Sequence, residues 1–447
     1  MAEFLAVIYI LYLVGMGQAW YRFLVRPAVW RWPQLAWSFG LGTILWSYAS
    51  LFLNLLNIPT NGGLLYVWQM LLIVIPVGGG MLFKWPTQIA SSAPRTIPVS
   101  WMKPVAFFIC GVAALTALFQ ALAYPMHLWD SIVIYGFKAK ILFQEQTFKT
   151  DAFMDPSVLH YSADYPLLLP YVEAGFYRWL GHVDDRVVRL LFLVYWGSWL
   201  GILYEALVER LRKDYAWILL CVIATLPLFS NIYMGQAVSG FADIPLAFYW
   251  SAFLLCGFQV RRDGFNAAWV MMALFAFGCA FTKNEGFVAM VLGWVIFIAA
   301  DHAPHRRFWI RPVSAGILLI LPWWWLRSVL PHNSAHYARV LALRPAEILS
   351  RLRIIGTYLA SEWMQIRSWG IFWPLIFLGL LWPQRRLRFP KESKMLLAAV
   401  SAQLGVYGYV YLTYPQNLEV LVPVTLLRLL LHTIGPLTLA VGWRLEE

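Results

Sequence analysis

Apolar runs long enough to cross a bilayer recur from one end of this chain to the other, and no other feature restricts its fold as much. A hydrocarbon core demands about 20 consecutive apolar residues per helix. It also demands that every backbone polar group be satisfied internally, which only helices and closed barrels achieve. The short alternating strands of a barrel are absent. A content of 61% hydrophobic and 13% charged residues overrides the multidomain soluble fold that 447 residues would otherwise suggest. The chain therefore reads as an all-α polytopic membrane protein. About thirteen spans are expected by the length criterion, near 5–22, 34–56, 62–83, 104–124, 186–208, 215–234, 243–260, 266–282, 286–301, 313–330, 369–383, 395–412 and 424–443.

The cations give the orientation. With the N-terminus outside, the inner loops collect Arg22, Arg26 and Arg31, then Lys84, Arg95 and Lys103, then Arg210, Arg212 and Lys213. Arg261 and Arg262, Arg306, Arg307 and Arg311, and the run from Arg385 to Lys394 lie on the same side. This is the positive-inside pattern, so the net charge of +12 reports topology rather than nucleic-acid binding. Two long outer segments, 125–185 and 331–368, escape that rule. Residues 346–367 place Leu352, Ile355, Leu359, Trp363 and Ile366 at helical spacing, as in an amphipathic helix on the membrane surface. Residues 1–103 form an N-terminal unit of about three spans and an inner loop, and 104–447 form the main module. Cys110, Cys221, Cys256 and Cys279 lie in apolar runs without CxxC spacing and read as small core hydrophobes.

Segment 125–185 is a charged island between apolar spans, holding twelve charged residues and three histidines. Ionisable groups at a membrane edge are costly, so they usually line a cavity and work there. Asp130 opens a stretch that fits one amphipathic helix. At about 100° per residue, Lys138 and Lys140 fall on either side of it, spread over roughly 12–15 Å. A carboxylate so placed can take a proton and a lysine can neutralise a phosphate, but an ordinary helix N-cap also explains Asp130. Asp164-Tyr165-Pro166 fits a turn starter, and Asp243, two residues before Pro245, fits a helix start. Lys283-Asn284-Glu285 fits either a turn with a local ion pair or a functional group between two uncharged spans. Arg428 is the one strong charge in a long apolar run and shares a helix face with His432, which favours function, with a phosphate or carboxylate as partner. There is no Walker A, Rossmann, HExxH or GxSxG signature. A transfer reaction would need a donor delivered by the membrane.

These motifs occur in a fixed order: Trp129-Asp130 with Lys138 and Lys140, Asp164-Tyr165-Pro166, Asp243-Ile-Pro, Lys283-Asn284-Glu285, and the Arg428 helix. In that order they resemble the GT-C superfamily of integral-membrane glycosyltransferases, over roughly residues 104–443, and especially the branch that includes bacterial aminoarabinose transferase and the protein O-mannosyltransferases. The resemblance implies a polyprenyl-phosphate-linked sugar donor, inversion at the anomeric carbon, and a lipid, glycan or protein acceptor. It also implies a multi-pass protein of the bacterial cytoplasmic (inner) membrane with its site on the extracytoplasmic face. Asp130 takes the place of the catalytic aspartate and Asp243 that of a second acidic position. Lys138, Lys140, Lys283 and Arg428 are donor-phosphate candidates, while Trp129, Asp164, Tyr165 and Glu285 are further substrate contacts. Some members hold a divalent metal ion at the aspartate. Here Ser131 and Ile132 come directly after Asp130, so the Asp-x-Asp pair is missing. About three spans precede the matching loop, which members commonly place after their first span. The competing expectation is a transporter or flippase for lipid-linked or anionic substrates, although no pair of similarly broken spans marks two inverted halves.

Overall fold

The computed structural model describes residues 1–25, 27, 30–60, 63–82, 101–155, 157, 163–231, 236–263, 268–301, 307–331, 345–381, 389–414 and 417–445. Among them there is no strand. The expected inner loop around Lys84 and Arg95, Arg306, the cluster Arg385–Arg388 and positions 332–344 of the second outer segment lie outside the described residues.

Among the described residues sixteen helices of eight residues or more run in succession. They are α1 Ala2–Val25, α2 Pro33–Leu55, α3 Gly63–Leu82, α4 Met102–Ala123, α5 Phe137–Gln144, α6 Leu168–Leu180, α7 Leu190–Val208 and α8 Lys213–Ala224. Next come α9 Asp243–Asp263, α10 Ala268–Thr282, α11 Asn284–Ala300, α12 Ile310–Val329, α13 Pro345–Trp363, α14 Phe372–Leu381, α15 Lys391–Thr413 and α16 Leu418–Arg444. A π-helical turn, Asp130–Gly136, leads into α5.

Among the described residues eight helices are long and apolar enough to cross a membrane: α1, α2, α4, α7 with its preceding turn, α9, α12, α15 and α16. The other five expected spans are helical, and all but α3 are short. The run 215–234 breaks after Ala224 because Pro227, which cannot continue a helix, starts a new turn. α3 keeps 20 residues, whereas α10, α11 and α14 have 15, 17 and 10 residues. Most of the expected helix 346–367 is present as α13, with no buried residue in it, but it stops at Trp363, and Ile366 starts a separate short turn, Ile366–Trp369. Arg351 ties α13 to α15 by donating to the carbonyls of Tyr411, Leu412 and Tyr414.

α9 is the axis of the packing. Seventeen of its 21 residues are buried, and it touches α7, α10, α11 and α16. α1 and α2 share this core. Thr43 on α2 lies 2.6 Å from the Tyr249 hydroxyl on α9, Trp37 donates to Glu205 on α7, and Tyr9 on α1 donates to the Val172 carbonyl on α6. Lipid offers no hydrophobic drive between helices, so such bonds and small residues at close crossings hold them together. At the α1–α2 crossing a Cβ on Gly42 would run into the Leu13 carbonyl, and one on Gly17 into that of Ser38. Gly42→Val is therefore expected to lower stability by about 2–3 kcal/mol, visible as a lower unfolding midpoint of the detergent-solubilised protein.

Candidate functional site

Asp243 is the first residue of α9 and its side chain is wholly buried. A carboxylate there is tolerable only if it is paired and hydrogen-bonded. Arg428 donates from Nε to Oδ2 at 2.7 Å, Lys283 from Nζ to Oδ1 at 2.9 Å, and His432 Nε2 stands 3.2 Å from Oδ1. The reading of Asp243 as a helix-start residue is right for its position, but its carboxylate faces partners from other helices.

Each partner arrives for a local reason. α10 ends at Thr282, Lys283 takes an extended backbone (φ −156°, ψ 155°), and α11 begins at Asn284. That single-residue break turns Lys283 inward, where it also meets Glu285 Oε1 at 3.1 Å. The local Lys–Glu pair expected from the sequence is thus present, with Asp243 added to it. Arg428 and His432 project from one face of α16, as their i, i+4 spacing requires. Arg428 lies ten residues, about 15 Å, inside α16. The first turns of α16 therefore rise beyond the plane of the site, alongside α13 and the end of α15.

Asp130 reaches the same cluster. Its Oδ2 accepts from Arg428 Nη1 at 2.6 Å, so one guanidinium bridges two carboxylates that are 113 positions apart in the chain. The N-cap reading of Asp130 is corrected: Trp129 holds the cap position, with no side-chain cap bond. The turn Asp130–Gly136 is π-helical, with i→i+5 bonds, a form concentrated at functional sites. It packs on the loop before α9. Gly240 there has φ +82°, and a Cβ on it would sit 2.7 Å from the Ser131 Cβ. The Phe241 ring lies 3.9 Å from the Arg428 guanidinium carbon and stacks on it. Trp129 is 53% exposed beside Asp130.

The π turn also redirects the side chains beyond it. Lys138 and Lys140 do not flank Asp130 as an unbroken α-helix would have them do. Lys138 is fully buried and donates to the carbonyls of Ala163 and Tyr165, clasping the loop that carries Asp164. Lys140 pairs with Asp185 at 2.6 Å. Asp164, expected as a turn starter or substrate contact, pairs with Arg327 of α12 at 2.8 Å, and the Tyr165 ring lies 6.0 Å from the Lys138 ammonium. Lys138, Lys140 and Asp164 thus hold the island together instead of joining the Asp243 cluster.

Two members escaped sequence reasoning. Tyr407 on α15 stands 2.9 Å from His432 Nδ1 and accepts from Gln403 Nε2 at 2.7 Å. Since Asp243 only accepts, His432 carries its proton on Nε2 and takes the Tyr407 hydroxyl proton as a hydrogen bond at Nδ1. Tyr135, on the π turn, is fully buried with no hydrogen-bond partner for its hydroxyl among the described residues. Burial first, then the charges of Tyr165, Asp243, Glu285 and Asp130, hold that phenol well above its ordinary value of 10.0. Nothing in the sequence separates these two from the other tyrosines, since their roles come from long-range contacts.

Taken together, three carboxylates (Asp130, Asp243, Glu285) face two cations (Arg428, Lys283) and a neutral-capable imidazole. Arg428 commits Nε and Nη1 to carboxylates, leaving Nη2 for a further anion. Among the described residues no three His, Cys, Asp or Glu side chains are grouped to hold a metal ion. No family model, no curated protein and no solved structure matches this chain significantly.

Burial pushes Lys138 from its ordinary 10.5 down to about 7, against a weaker opposing pull from Asp164. Between those two values the unfolded chain holds a proton that the folded one has released, so stability should rise with pH from about 7 toward 10. Unfolding midpoints of wild type and Lys138→Met measured across that window should show the rise only in the wild type.

Proposed function

We propose that this protein is a glycosyltransferase that moves a sugar from a polyprenyl-phosphate donor to an acceptor outside the cytoplasm. In this reading the short apolar helices complete about thirteen crossings in a GT-C-like arrangement. The site then opens on the extracytoplasmic face of a bacterial inner membrane. One observation carries the proposal: Arg428 joins Asp130, at the exposed edge, to the buried Asp243.

That bridge suits an inverting transfer. The acceptor hydroxyl or amine attacks the anomeric carbon, and the Asp130 carboxylate takes its proton. The bond from that carbon to the phosphate oxygen breaks, and its electron pair leaves with polyprenyl phosphate. When Asp130 becomes neutral, Arg428 loses one of its two counter-charges. The guanidinium is then under-compensated at the moment the leaving phosphate gains charge, and Nη2 is the group free to meet it. Lys283 adds a second cation, and Asp243 fixes both in place. In a site of low dielectric, fixed charges that respond in this way stabilise the transition state more than the ground state. Trp129, half exposed beside Asp130, offers a ring face for the sugar.

The purified protein, given a labelled polyprenyl-phospho-sugar and acceptor, should release polyprenyl phosphate. Asp130→Asn should lower that rate by about 10²–10⁴-fold while the unfolding midpoint holds, because Arg428 keeps Asp243. Label crossing a liposome uncleaved would instead identify a transporter. Because a guanidinium already stands between the two carboxylates, activity should persist in EDTA, and its loss on chelation, restored by a divalent ion, would overturn the metal-free step.

A further inference from the structure

Glu173, in the middle of α6, takes no part in the Asp243 cluster. Its side chain is wholly buried, and neither carboxyl oxygen has a hydrogen-bond partner among the described residues. Asp243, buried to the same extent, has three. The packing around α6 explains the difference. Tyr9 of α1 donates to the Val172 carbonyl, and from α2 Trp46 and Ser47 donate to those of Tyr171 and Leu168, so these neighbours serve the backbone of α6. α2 and α10 carry no acidic or basic residue at all. Other charges nearby are engaged elsewhere: Asp130 of the π turn with Arg428, Lys138 of α5 with two carbonyls, and Glu3 of α1 with Arg186. Arg189, beyond α6, donates to the carbonyls of Gln120, Tyr124 and Val238, and Tyr195 of α7 meets the Tyr249 hydroxyl. The charges that act on Glu173 are Asp185, beyond α6, and Lys140 of α5, which form a pair 2.6 Å apart with side chains 28% and 29% exposed. Tyr177, one helical turn from Glu173 on the same face, donates to Asp185 Oδ1 at 3.1 Å.

A buried carboxylate without a donor is far costlier than the neutral acid, so a group in this position keeps its proton. We infer that Glu173 is a proton-binding site and that the Lys140–Asp185 pair is the latch it controls. With the proton bound, the acid makes no demand on its neighbours, and Lys140 stays with Asp185. When the proton passes out to solvent past the partly exposed pair, the new carboxylate repels Asp185 and competes for Lys140. The long lysine stem swings inward, Asp185 keeps only the Tyr177 hydroxyl, and α5 loosens from the turn beyond α6. α5 continues directly from the π turn that carries Asp130, so the latch is a pH-sensitive hold on the charged island. Burial first, and then the Asp185 charge, keep the Glu173 carboxyl well above its ordinary 4.5, against the pull of Lys140. The folded chain thus holds a proton that the unfolded chain gives up. The stability this group contributes is whole below its unfolded value and falls as pH rises toward its folded one. The site is independent of the proposed sugar transfer, and its test uses no turnover.

Infrared spectra of the detergent-solubilised protein at neutral pH should contain the C=O stretch of a solvent-shielded carboxylic acid that Glu173→Gln lacks. The band should fade as pH is raised, and amide hydrogen exchange in α5 should speed up over the same range in wild type but not in Glu173→Gln. The amide stands in for the neutral acid, so the variant's unfolding midpoint should exceed that of wild type by a margin that widens with pH. Any contribution from Lys138 is common to both proteins and cancels. If Glu173→Gln does not fold, two variants that retain Glu173 test the same site. Asp185→Asn removes the repelling charge and should move the fading of the band down by about one pH unit, while Lys140→Met removes the attracting one and should move it up by about as much. No acid band assignable to Glu173, a band that persists until the protein unfolds in alkali, a titration that neither neighbouring variant moves, or α5 exchange that follows pH equally in Glu173→Gln would each overturn the assignment.

Discussion

The buried Asp243 carboxylate is the constraint around which this structure is arranged. Placing that charge at the head of the most buried membrane-length helix forces neighbouring helices to supply partners, and it thereby fixes how α9, the α10–α11 junction and α16 meet. Removing one member of such a set costs about 3–5 kcal/mol because a charge is left uncompensated. The converse is that the set can be kept only if every member has its place. Gln403, Tyr407 and His432 extend it into α15 as a chain of hydrogen bonds with a single consistent proton arrangement.

The exposed end of the same network is where chemistry fits. Asp130 is a quarter exposed while Asp243 is not exposed at all, and Arg428 belongs to both. A proton taken by the outer carboxylate changes the charge balance of the guanidinium, and the inner carboxylate keeps that guanidinium from moving. The two carboxylates are thus distinguished by burial rather than by residue type.

The charged island divides along similar lines. Among its described charges, only Asp130 joins the central cluster. Lys138 clasps the loop at Ala163 and Tyr165, Lys140 meets Asp185, and Asp164 meets Arg327. Arg178 turns away to meet Thr60 and the Leu142 carbonyl. The island is a polar scaffold with one carboxylate, Asp130, joined at its edge to the central cluster.

The sequence by itself determined the class of fold, because hydrophobic run length and the need to satisfy backbone groups in lipid leave few alternatives. It also picked out Asp130, Asp243, Lys283, Glu285 and Arg428, because a charge inside or beside an apolar run is conspicuous. The pairing of Arg428 and His432 on one face came from helical periodicity alone. Only the tertiary structure decided that Arg428 bridges the two aspartates and that Lys138 and Lys140 serve elsewhere, since a π turn shifts every side-chain direction beyond it. Tyr407, Tyr135 and the burial of Glu173 were likewise beyond reach. Their environments are made by residues dozens to hundreds of positions away, and no local pattern encodes which of many tyrosines or tryptophans will meet a charge.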